Sequence, residues 1–132
     1  MANTKHTVVV RKDLKMPPGL FAAQVAHMSD AFMRNKIVEL SDIDEGVSLP
    51  FSSDEIDWMK QPYIAVLGVD CYEELLEIIV DAKEAGLVVH EWRDILYSEN
   101  LKRNMPGILV GCSIGPCDSD KVKAVTGNLQ LA

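Results

Sequence analysis

From Thr7 to Arg11 the chain is an apolar run containing three consecutive valines, Val8, Val9 and Val10. Such a run predicts a central strand buried on both faces, as in a sheet covered by helices. Asp13–Pro17 reads as a loop, and Pro18 suits the first turn of a helix, where its missing N–H costs nothing. Beyond it Phe21, Val25, Met28 and Phe32 recur at helical spacing as one apolar stripe. Ala22, Ala23 and Ala26 are small enough to let this helix lie close to the sheet. His27 falls on the flank of the stripe, near Leu20, Ala31 and Arg34.

Residues 35–51 are less regular and read as a loop or a broken helix end. Ser52-Ser53-Asp54-Glu55 has the form of a capping box, with a short helix Ser53–Lys60 behind it. Tyr63–Val69 predicts a second strand. Asp70 is a candidate cap for a helix over Tyr72–Ala85 that ends at Gly86, a good left-handed terminator. That helix turns Leu75, Ile78, Ile79 and Ala82 inward and Glu73, Glu77, Asp81 and Glu84 outward. Leu87–Trp92 is a third strand, Asp94–Gly107 a polar loop and Ile108–Ile114 a fourth strand. Asp118 or Ser119 caps a last helix. The order β-α-α-β-α-β-β-α predicts an α/β protein: a three-layer α/β/α sandwich with a four-stranded mixed sheet. The third and fourth strands have no helix-length pattern between them, so they are expected to pair antiparallel.

At 132 residues the chain is expected to form one domain, 1–132. No apolar run reaches the roughly 20 residues that span a bilayer, and no signal core follows the N-terminus, so a cytoplasmic protein without membrane contact is expected. Cys71, Cys112 and Cys117 are odd in number and widely spaced, as expected of free thiols. Neither they nor His6, His27 and His90 offer a metal-ligand spacing, so no metal and no cofactor is expected. Rossmann and P-loop glycine signatures are missing, as is a Gly-x-Ser-x-Gly elbow. Charge alters the picture most: 13 Lys+Arg stand against 20 Asp+Glu, a net charge of −7. A protein that grips nucleic-acid phosphates usually carries a basic patch, so long-range steering of RNA is expected to be weak.

The passage from a valine strand through a charged turn into a helix is a common phosphate site, because free backbone N–H groups point outward there. In this chain the passage holds Arg11, Asp13-Leu14-Lys15, Ala22-Ala23-Gln24 and His27. Further on stand Asp94 with Ser98 four positions later, Gly115-Pro116, Val125-Thr126-Gly127 and Leu129-Gln130-Leu131. The order of these pieces resembles the type-two peptidyl-tRNA hydrolase family over nearly the whole chain, least so over residues 35–55. The resemblance implies a four-stranded mixed sheet with helices on both sides, commonly a homodimer, and a tRNA substrate. Departures cluster where the chemistry would be. The family turn reads close to Gly-Lys-Gly-Lys, whereas this chain has Pro17-Pro18-Gly19-Leu20. Tyr97 stands in place of a family arginine, and Val110 in place of a threonine.

Hydrolysis of a peptidyl-tRNA ester needs a positioned water, a group to take its proton, and donors for the developing oxyanion. Asp94, His27, Lys15 and Ser98 are the candidate catalytic residues. Asp94 can orient water or cap the start of a loop; His27 can shuttle a proton or be a packed helix residue. Lys15 can supply charge, or be an exposed turn lysine, and Ser98 a hydroxyl, or be plainly solvated. Gln24, Lys12, Thr126, Lys102 and Arg103 are candidate substrate-binding residues, with Gln24 expected to bond backbone near the first turn and Thr126 open to a bracing role. Two functions follow. One is cleavage of the ester between peptide and tRNA. The other is a non-catalytic or repurposed family member, a dimeric binding domain for a protein or small molecule, as the lost cations and acidic balance suggest. A basic rim of Lys12, Lys15, Lys102 and Arg103 would favour the first, and an apolar pocket around Leu20, Tyr97 and Val110 the second.

Overall fold

Alternation along the first strand divides the interior. In the computed structural model, which describes residues 3–39, 50–98 and 100–132, β1 spans Thr4–Arg11. Successive side chains of a strand point to opposite faces. Val8 and Val10 accordingly pack with Met28 and Val110, whereas Val9 packs with Leu75, Ile79, Cys112 and Val122. The helices behind these contacts are α1 (Pro18–Glu39) for the first group and α3 (Tyr72–Glu84) and α4 (Ser119–Thr126) for the second. The short α2 (Ser53–Lys60) begins at the expected capping box: Glu55 N–H donates to Ser52 Oγ at 3.1 Å, and Ser52 N–H donates to Glu55 Oε1 at 2.8 Å.

Among the described residues the sheet has five strands, not four. They are β3 (Val89–Ser98), β4 (Arg103–Asp118), β1, β2 (Ile64–Val69) and β5 (Gln130–Leu131), in that spatial order. β1 and β2 run parallel, with Val8 opposite Val66. β4 runs antiparallel to both β1 and β3, and β5 antiparallel to β2, so the sheet is mixed. The extra strand is two residues long, too short to show a period.

The expected polar loop over Asp94–Gly107 is instead mostly hairpin. β3 runs on to Ser98 and pairs with β4, with Ser98 opposite Arg103 and Tyr97 opposite Asn104. Backbone pairing, not apolar content, holds these residues extended, since this hairpin stands at the sheet border with one face open to water. Register shifts interrupt the pairing between Trp92 and Arg93 and between Asp94 and Leu96. Three further expectations are corrected. Helix α1 continues without a break through residues 35–39; residues 40–49 of that irregular stretch lie outside the described residues, and Pro50 and Phe51 are neither helix nor strand. Ala22, Ala23 and Ala26 face solvent, and Ala31 is the small residue buried against the sheet. Cys71 is the N-cap of α3 and makes no side-chain cap bond, while the Asp70 carboxylate pairs with Lys12 at 3.3 Å. Gly86, at φ 78°, ends that helix region as expected, and the Asp118 carboxylate caps α4 by accepting from Asp120 and Lys121 N–H.

Candidate functional site

The site begins where β1 ends. Arg11 anchors the turn: it donates through Nε and Nη2 to the Asp13 carboxylate (3.1 and 2.7 Å) and through Nη1 to the Leu109 carbonyl (3.1 Å). Its guanidinium also lies 5.5 Å from the centroid of the Tyr72 ring. Lys12–Leu14 make one 3-10 turn, closed by Lys15 in the left-handed region (φ 50°, ψ 46°), whose N–H donates to the Lys12 carbonyl. Helix α1 starts shortly after, at Pro18.

One turn beyond Leu20, α1 turns Gln24 inward, where it is 1% exposed. Gln24 does not bond backbone near the first turn. Its Nε2 donates to Asp94 Oδ2 at 2.7 Å, and its Oε1 accepts from the Trp92 indole N–H. The other Asp94 oxygen accepts from the Ile95 N–H at 2.7 Å. These bonds, the Gln24 donor first and the Ile95 N–H second, hold the Asp94 carboxyl below its ordinary range. Partial burial opposes that shift, and the nearby His27 adds to it. His27 is stacked on the Trp92 indole, with centroids 4.7 Å apart and planes 22° from parallel. Gln24 and His27 therefore meet on one indole, and Asp94 joins them through Gln24.

An open groove of about 990 Å³ begins one helical turn before Gln24 on α1, at Leu20, and two residues after Asp94 on β3, at Leu96. Lys15, Pro17 and Leu20 form one wall; Leu96, Tyr97, Ser98 and Leu101 form the other. The Ser98 Oγ accepts from the Leu101 N–H at 3.2 Å, which leaves its own O–H to donate elsewhere. Leu20 is 39% exposed and Tyr97 56%, so the groove is largely apolar at positions where the resemblance led one to look for cations. Val110 is fully buried in the core and is not among the residues lining this groove.

The other expected substrate-binding residues are dispersed. Lys12 is turned toward Asp70, its stem over Gly68. Lys102 (φ 51°) and Arg103 lie exposed at the hairpin tip. Thr126 is buried on α4, donating its hydroxyl to the Val122 carbonyl at 3.0 Å. It belongs with the core around Val9 and Val122, across the sheet from Gln24. Sequence reading assigned no role to Trp92. The signal was the period of two that puts Trp92, Asp94, Leu96 and Ser98 on one strand face, hidden when the strand is ended at Trp92. Among the described residues, no group of three or more His, Cys, Asp or Glu side chains is placed to hold a metal.

A family model described as "Peptidyl-tRNA hydrolase PTH2" matches residues 4–132. Similar curated proteins include one named peptidyl-tRNA hydrolase from Methanothermobacter thermautotrophicus, 32% identical over 96% of this chain and 98% of that protein. Another with the same name, from Methanopyrus kandleri, is 35% identical over 96% and 97%. A Bos taurus protein named "Peptidyl-tRNA hydrolase 2, mitochondrial" is 32% identical over 96% of this chain and 63% of its own length. With a family match across nearly its whole length and relatives of this identity, the chain belongs to the type-two peptidyl-tRNA hydrolase family.

Proposed function

We propose that this chain is a peptidyl-tRNA hydrolase with Asp94, His27, Lys15 and Ser98 as its working groups. The observation that carries this is that Gln24, one helical turn from Leu20, bonds Asp94, two strand residues from Leu96, and His27 stacks on Trp92; Leu20 and Leu96 both line the groove with Lys15 and Ser98. Water adds to the ester carbonyl carbon, the bond to the ribose oxygen breaks, and a proton passes to that oxygen, leaving a peptide carboxylate and tRNA. A carboxylate held below its ordinary range is a weak base, so Asp94 orients the water, and the exposed His27 takes and returns the proton. The Ser98 O–H and the Lys15 ammonium stabilise negative charge as it develops. Gln24 positions Asp94, while Lys102 and Arg103 on the hairpin tip reach toward tRNA phosphates. Purified protein given an N-acylated aminoacyl-tRNA should release uncharged tRNA. Release no faster than from an Asp94→Ala variant would overturn the reading.

The apolar lining at Leu20 and Tyr97 favours a second reading, a repurposed family member that binds a protein or small molecule. A salt series separates the two, because phosphate contacts weaken as salt rises and apolar contacts do not. The separate apolar clusters around Val8 and Val9 support the three-layer arrangement. Among the described residues no helix is long and apolar enough to cross a membrane. A cytoplasmic homodimer is proposed on the family resemblance; light scattering that returns only a monomer mass would remove the dimer.

A further inference from the structure

Trp92 belongs to no part of the proposed reaction, yet Gln24, His27 and Arg34 all meet it. Its indole N–H donates to Gln24 Oε1, its ring carries His27 at a centroid distance of 4.7 Å, and the Arg34 guanidinium lies 5.6 Å from that ring. Arg34 is tied back to α1 by donating to the His27 carbonyl at 2.9 Å and pairing with Asp30 at 3.1 Å. An indole nitrogen can only donate, and an ionised carboxylate can only accept. Gln24 lies between one of each. Only one orientation of its amide satisfies both neighbours, with oxygen toward Trp92 and NH2 toward Asp94. Turned over, the buried amide would set two donors against each other and two acceptors against each other, and buried polar groups are costly to leave unpaired.

We propose that Trp92 is a positioning residue for ester hydrolysis, fixing the direction of the Gln24 amide so that Asp94 always receives a donor. The proposal rests on the hydrolase reading for its catalytic consequence, but the hydrogen-bonded chain itself is testable without turnover. Hydrogen bonds in series polarise one another, so the indole donor also strengthens the bond that Gln24 gives to Asp94. Phenylalanine at this position would keep an aromatic ring under His27 and remove the donor.

The test uses Trp92→Phe, Gln24→Met and the double variant, with turnover of N-acylated aminoacyl-tRNA measured against pH. Trp92→Phe should lower kcat about tenfold, the effect of weakening one charge-assisted hydrogen bond, with little change in KM. The Asp94 carboxyl midpoint, followed by NMR, should move to higher pH. The double variant should be no slower than Gln24→Met alone, because Trp92 acts through Gln24. Unchanged kcat and an unmoved Asp94 midpoint in Trp92→Phe would overturn the proposal, as would additive losses in the double variant. If the native protein releases no tRNA, the hydrolase reading fails separately. The hydrogen-bond chain is then read by NMR: the Asp94 carboxyl midpoint should rise in Trp92→Phe, and an unmoved midpoint overturns it. If Trp92→Phe does not fold, native protein still decides. The Trp92 indole proton signal should shift as Asp94 titrates and lose that response in Asp94→Asn; an indole signal indifferent to Asp94 overturns the proposal.

Discussion

Gln24 and Asp94, 70 positions apart in the chain, meet through a 2.7 Å hydrogen bond in which the amide donates to the carboxylate. One partner sits on α1, the other on β3, so the bond closes only when helix and sheet are docked. A donor at that distance favours the ionised carboxyl.

Removing that donor should therefore move the titration of Asp94. Its folded midpoint lies below the ordinary value, so the carboxyl stays ionised until pH falls through that lowered midpoint. Gln24→Met should bring the midpoint back up, followed by NMR of the Asp94 carboxyl. The turnover rate near neutral pH should fall about tenfold as Asp94 loses its fixed geometry. A midpoint that stays in place would show that Gln24 does not control Asp94.

Stability should depend on pH through a different residue. His6 is fully buried, with ring centroids 5.4 Å from both Phe32 and Trp58, and neither ring nitrogen has a hydrogen-bond partner among the described residues. Burial, with help from the charge of His90 and against that of Glu55, lowers its pKa from 6.5 to about 4. The unfolded chain thus binds this proton at a higher pH than the folded one. Stability should fall as pH drops from 6.5 toward 4, by at most about 3 kcal/mol from His6. His90, also lowered by burial, adds to the same window. His6→Phe keeps the ring packing and should flatten the melting temperature across this range; an unchanged slope would place its origin elsewhere.

Close packing of helix, β1 and β4 should make one glycine irreplaceable. A Cβ on Gly111 would lie 2.2 Å from the Val9 carbonyl oxygen and 2.9 Å from the Met28 sulfur. Met28 can shift, but the backbone of the central strand cannot. Gly111→Ala should cost about 2–3 kcal/mol, measured by urea unfolding. A loss below about 0.5 kcal/mol, the ordinary range for surface changes, would contradict this packing.

Affinity for tRNA should respond to charge added along the groove. Leu20 and Tyr97 line it in neutral form. Leu20→Lys with Tyr97→Arg should strengthen tRNA binding and steepen its dependence on salt, by about 0.7 in slope for each new phosphate contact with a single strand. Binding that improves without a steeper salt dependence would mean the new side chains do not meet phosphate.

Much of this arrangement is legible in the residues themselves. The valine run, the helical stripe through Met28 and Phe32 and the Ser52–Glu55 box each report local rules that the fold obeys. His27, Gln24 and Asp94 are picked out by the family resemblance, whose pieces they match in register, rather than by any local pattern. The hairpin beyond Asp94 is not picked out, since Arg93, Asn104 and their neighbours look like loop and are held extended by cross-strand pairing alone. Trp92 is hidden for the same reason. Its role depends on a helix residue 68 positions away, and no local pattern encodes that distance.

The broken register of β3 has one more consequence. This strand forms one border of the sheet, and a straight border of ten residues would be a template on which another chain could zip. Irregular pairing on either side of Asp94, together with outward Glu91 and Arg93, spoils that template. The distortion on either side of Asp94 thus guards the sheet border against aggregation. A variant with a smoothed hairpin would be at risk of precipitating while its core was still intact.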